Sequence, residues 1–400
     1  MVVTLFSHKF SDGRTFVTVI RAPGVPASLH VVSDKIGDSG PLLIPYPNWE
    51  TYENPRACNG ITSVYRVTID KCNRLWILDT GKIGADFICP AQLVVYNLLT
   101  DQLITKVKIP DHIARNETGN GLLITPAVET YGPNCEVAAV YIADVVGRGL
   151  IVWTNGRFIR LASKSFNPEL RNSNYTIAGE KFFLDDGLFG LALTPEQYFH
   201  GNRLLFFRPL ASRSIYSVPI DDLKSNNRPE GVRFFGSPDV LSSQATSMTF
   251  SDDGILFYGL TEDLAIGCWN LNRPLRPENL GIPLIDKQRL QFASGLKIFK
   301  NRNGLHLGDD QLLVFTNRLQ KIMTGSKNIN EINFRILRAS VQDVVRGSVC
   351  ENINLVISRN SDDVSGQDRN TGFKSISSIV PSLSSDAQVK FSVSQQHTFV

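Results

Sequence analysis

Few side chains in this 400-residue sequence are spaced for catalysis or metal binding. The six histidines are His8, His30, His112, His200, His306 and His397, and they show no metal-ligand spacing. Asp221-Asp222 and Asp252-Asp253 are adjacent carboxylates. Both sit in turn-like sequence, where Asp bonds to its own backbone. A calcium loop needs Asp or Asn at alternating positions before a Gly and a later Glu, and no segment supplies that. The nucleophile elbow, phosphate loop, zinc-protease helix and dinucleotide fingerprint are all missing. Neither a metal nor a cofactor is therefore expected. The thiols say more. Cys58, Cys72, Cys89, Cys135, Cys268 and Cys350 form no Cys-x-x-Cys pair, and an even set of six fits three disulfides in any of fifteen connectivities. Two glycosylation sequons, at Asn116 and Asn174, agree with an oxidising, extracellular setting. The opening residues lack a basic n-region, and His8, Lys9 and Asp12 interrupt any apolar core. The export signal that the chemistry implies is thus not expected within this sequence.

Bulk properties exclude several partners. A net charge of +3 with no Lys/Arg block gives no footprint for nucleic acid. No apolar run approaches the roughly 20 residues of a membrane helix.

The elements that must position any site repeat. A turn rich in Asp, Asn or Gly leads into a short apolar strand that often closes on a polar group. The copies run over 12–19, 72–79, 139–144, 201–207, 253–259 and 310–317. Their spacing of roughly 50 to 65 residues is a little longer than the usual propeller-blade period. Four copies follow another strand-like run, at 63–69, 188–193, 246–250 and 295–299, and each pair reads as a hairpin. Scattered Pro and Gly break helical windows. The fold class expected is all-β: a six-bladed β-propeller over residues 1–350. A pair of β-sandwiches would explain the strands but not the period. Residues 351–400, rich in Ser and Asp, cannot bury enough surface to offset ordering and are expected to form a disordered tail. Trp76, Trp153 and Trp269 fall in or beside strands and are expected to fill the wedges between blades, leaving other aromatics to line an axial cavity.

The stretch Cys58–Gly81, with Cys58-Asn59-Gly60-Ile61-Thr62 at its start and Leu75-Trp76-Ile77-Leu78-Asp79-Thr80-Gly81 at its end, closely resembles the signature of the yellow / major royal jelly protein family. So do Gly187–Leu193, Pro209–Ser212, Ala265–Asn270, Thr316-Asn317-Arg318 and Ile332–Ile336 followed by Cys350. The resemblance spans about 13 to 350. It implies a six-bladed propeller, secretion and glycosylation, and pairs Cys72 with Cys135, Cys268 with Cys350 and Cys58 with Cys89. Members normally carry residues before the stretch that begins here, so the closing blade is expected to be short of a strand.

Salivary members of the family hold biogenic amines in the central channel through a hydroxyl residue and an Asn, with an aromatic two positions beyond. Ser294 and Asn317 match the first two positions. Leu319 stands at the third, where it removes a cation–π surface. Phe189 and Thr62 complete the ligand-binding set expected from the family motifs. The resemblance therefore implies a small-molecule partner (an amine, a catechol derivative or a sterol) bound without chemistry. A dopachrome-converting enzyme and a nutritive protein that assembles into oligomers are the two alternatives.

Overall fold

The six recurring apolar runs all become one kind of element in the computed structural model: the second strand of a four-stranded antiparallel sheet. These strands are Thr15–Thr18, Arg74–Asp79, Val137–Asp144, Leu204–Pro209, Ile255–Leu260 and Asp310–Asn317, in blades 1 to 6. The structure describes residues 13–38, 40–198, 203–225, 231–300 and 310–352, with the two-residue strands His8–Lys9 and Thr398–Phe399.

The second strands are not amphipathic, because neighbouring blades cover both faces. Every residue of Ile255–Leu260 is buried, as is every residue of its partner Ala265–Asn270. The innermost strands are His8–Lys9, Val64–Ile69, Leu123–Tyr131, Leu188–Leu193, Ala245–Phe250 and Phe292–Lys300. Those of successive blades from 2 to 6 pack on one another and surround the axis. Blade 1, expected to be a strand short, has four, the innermost pairing His8 with Phe16 and Lys9 with Thr15. Blade 6 takes its fourth strand from Thr398–Phe399, paired with Arg335 and Phe334. Apart from that strand, the tail expected at 351–400 lies outside the described residues beyond Asn352.

Apolar clusters fill the six gaps between blades. Phe257, Leu312 and Val341 lie between blades 5 and 6, and Tyr141, Phe166 and Phe207 between blades 3 and 4. Trp76 and Trp153 meet at 6.1 Å between blades 2 and 3, and Trp269 meets Phe206 at 5.6 Å between blades 4 and 5. Two of these tryptophans are buried and the third partly so, as wedge filling requires. The ring closes where Val17, Val19 and Val25 of blade 1 pack on Phe315 and Phe334 of blade 6.

All three expected disulfides are formed. Cys72–Cys135 joins the inner turns of blades 2 and 3, and Cys268–Cys350 ties the third strand of blade 5 to the segment leaving blade 6. They close spans of 63 and 82 residues, each restricting the unfolded chain by about 4 kcal/mol.

Candidate functional site

In blades 2 to 6 the innermost strand breaks register with its neighbour near its start. The shifts fall at Val64/Val67, Leu123/Thr125, Leu188/Gly190, Ala245/Met248 and Phe292/Gly295. A bulge re-aims the side chains around it. The residues so placed include Arg66, Phe189 and Ser294.

Arg66 reaches the axis. It is fully buried on blade 2, yet its guanidinium donates to Thr125 Oγ1 of blade 3 at 2.6 Å and to the Ser294 carbonyl of blade 6 at 2.8 Å. It also lies over the Phe189 ring of blade 4 at 4.2 Å. One guanidinium thus touches three other blades across the channel. Burial pulls its pKa down to about 9.

The mouth on one side of Arg66, where the inner strands begin, holds the expected ligand residues. Asn317 Nδ2 donates to Ser294 Oγ at 3.2 Å, and Asn317 Oδ1 accepts from the Leu319 N–H at 2.9 Å. Phe189 and Phe292 are buried beside them in an apolar cluster that partly buries Leu319 and Tyr65. Tyr175 and Ile177 join the same cluster from the hairpin Asn174–Ile177/Glu180–Phe183. That hairpin follows blade 3 but accepts through Glu180 from Ser326, in the loop between the second and third strands of blade 6, at 2.7 Å, and receives Glu262 of blade 5 on the Thr176 N–H at 2.9 Å. It therefore caps the mouth. Asp186 lies near Tyr65 at this end, its pKa pushed up to about 6 by burial and by Asp185.

Asn317 has counterparts. It pairs with Phe292 at the start of its blade's inner ladder, as Asp79 pairs with Val64 and Asp144 with Leu123. Asp79 takes the N–H groups of Thr62, Ser63 and Gly81 and the Gln92 amide; Asp144 takes those of Leu122 and Gly147. The polar residue that closes these second strands is thus a latch on the segment entering the inner strand. In blade 6 the latch is an amide whose N–H turns to Ser294 instead. Thr62 belongs to the Asp79 latch: its N–H goes to that carboxylate and its carbonyl accepts from Arg21.

Beyond Arg66 the channel opens into a cavity of about 160 Å³. Thr68, Thr125, Ser247, Thr249, Arg203 and Lys297 supply its polar wall, and Leu191, Met248 and Phe250 part of its apolar one. Lys297 Nζ lies 3.5 Å from Thr68 Oγ1. Burial, with Arg66 adding repulsion, depresses Lys297 to about 7. Glu129, almost fully buried, faces Arg203 at 3.7 Å and Lys224 at 3.6 Å, and accepts from the hydroxyls of Tyr131 and Tyr141. Glu129→Ala is expected to cost about 3 kcal/mol in urea unfolding. That is the low end for breaking a buried pair, because Arg203 keeps Glu196 and Lys224 keeps Asp221.

Arg66, Glu129, Asp186 and Lys297 were not among the expected site residues. Among the described residues no group of His, Cys, Asp and Glu could hold a metal. His30 is buried and held down to about 4 by desolvation, while His200, His306 and His397 lie outside the described residues. Among the described residues no helix is long and apolar enough to cross a membrane. Of the two sequons, Asn174 is exposed on the outer face of the cap hairpin, and Asn116 is half-buried in a turn that bonds Thr118 and Asn120.

A family model and the similar sequences point to one family. A family model described as Major royal jelly protein matches residues 62–350. Major royal jelly protein 9 of Apis mellifera is 41% identical over 348 residues, covering 85% of this chain and 80% of that protein. Major royal jelly protein 6 of Apis mellifera is 38% identical over 352 residues, covering 85% and 78%. A solved luciferin-regenerating enzyme overlays with a TM-score of 0.48 at 10% identity, covering 84% of this chain and 90% of that one.

Proposed function

Because this chain belongs to the major royal jelly protein family, we propose that it is a secreted, glycosylated binding protein that holds a small ligand at the capped mouth of its channel. The observation that carries this reading is the buried Asn317–Ser294 pair, 3.2 Å apart, set among Phe189, Phe292 and Leu319. A hydroxyl and an amide in an apolar pocket can orient one polar ligand while the rings bury its body. The guanidinium over Phe189 repels an ammonium placed on that ring. A catechol derivative or amine would therefore lay its ring on Phe189 and turn its charge toward Asp186.

Calorimetry against serotonin, dopamine, octopamine and a sterol tests the reading. Asn317→Ala is expected to weaken the ligand that binds by at least about 1 kcal/mol, from one lost buried hydrogen bond. An unchanged affinity removes Asn317 from the site. No heat with any of the four favours a nutritive protein, and loss of dopachrome absorbance faster than in buffer favours the enzyme.

A further inference from the structure

The cavity beyond Arg66 lies at the other end of the channel from Ser294 and Asn317. It abuts the later residues of the inner strands, from Thr68 and Ala127 to Leu193, Phe250 and Lys297. We propose that it is a second binding site, for a small organic carboxylate whose anionic end sits on Lys297.

Three features support this ligand class. The first is size. At about 160 Å³ the cavity matches the roughly 150 Å³ of an apolar cavity that takes up benzene. One ring or a short acyl chain fits. The second is the division of the wall. Thr68 Oγ1 lies 3.5 Å from Lys297 Nζ, and Ser247, Thr249 and Arg203 line the same cavity, while half-buried Phe250 adds an apolar edge. A ligand with a charged head and an apolar body satisfies both, whereas an inorganic anion leaves the apolar wall unused. The third is charge. Lys297 feels the repulsion of Arg66, and the nearby carboxylate of Glu129 is shared by Arg203, Lys224, Tyr131 and Tyr141. Lys297 is half-buried and lines the cavity. An incoming carboxylate replaces the hydration that this ammonium gave up on folding.

Calorimetry with benzoate, benzamide and benzylamine separates charge from shape. Benzoate is expected to bind one to one, benzamide about tenfold or more weaker, and benzylamine not at all. Lys297→Met should bring benzoate down to the benzamide level, with unfolding and circular dichroism confirming that the variant folds. Thr249→Phe, which fills the cavity from its half-buried rim, should abolish benzoate binding while keeping Lys297. Equal affinities for benzoate and benzamide, benzoate binding unaltered by Lys297→Met, or no benzoate heat at millimolar concentration would each overturn the proposal.

Discussion

Asp79→Ala is expected to lower the free energy of unfolding by about 4 kcal/mol. The carboxylate is fully buried and accepts from four donors: Thr62 N–H at 2.8 Å, Ser63 N–H at 2.8 Å, Gly81 N–H at 3.0 Å and Gln92 Nε2 at 2.9 Å. Burial pushes the Asp79 pKa up against those hydrogen bonds, so its charge is left out of the expected loss. That loss comes from donors left buried without an acceptor, each costing about 1 kcal/mol or more. Little can move in to replace it. Gly81 has φ +68°, and a Cβ there would fall 1.9 Å from the Cys89 carbonyl, so this turn has no room to rearrange. Asp79→Asn keeps one acceptor oxygen and should fall between the two. Urea titration followed by tryptophan fluorescence reads the change, since Trp76 stands in the same strand. A loss below about 1 kcal/mol would mean that the donors find water and that the latch is not structural.

The second large effect depends on pH. Lys297 ionises at about 7 in the folded chain against 10.5 when free. Between those values the unfolded chain binds a proton that the folded chain has shed, so stability rises with pH across the window. Below about 7 the full cost of the buried ammonium is present. One proton gives at most about 1.4 kcal/mol per pH unit, or at most about 5 kcal/mol over the window. Lys297→Met carries no titrating group, and the difference between it and the wild type isolates this slope from the rest of the protein. The variant should be the more stable protein at pH 6 and lose that advantage by pH 10. A difference that stays flat would place Lys297 in ordinary solvent. Buried Tyr52 and Tyr141, whose pKa values burial raises, act in the opposite direction only above their ordinary value of 10.0.

How much of this was legible follows from how each element meets its neighbours. The second strands are apolar on both faces and end in turns, so all six stood out as a repeat. The inner strand Leu123–Tyr131 did not, because Pro126 breaks a strand pattern. At the channel edge the lost donor is tolerated, which explains why a proline sits there. The inner strand of blade 1, two residues long, offers no pattern to find. The charged residues of the axis were missed for a related reason. Arg66 in Tyr65-Arg66-Val67 and Lys297 in Leu296-Lys297-Ile298 look like the solvent face of an alternating strand. The available signal was that the strands around them are buried on both faces, which leaves a charge nowhere to go but the axis. Ser294 and Asn317 were found through family resemblance, and no local pattern would have joined residues 23 apart across a bulge.

The guanidinium of Arg66 has a last consequence. It reaches from one wall of the tunnel to three others, so the mouth and the cavity have one positive charge between them. Filling either alters the field felt in the other, and by reciprocity any such influence is equal in both directions.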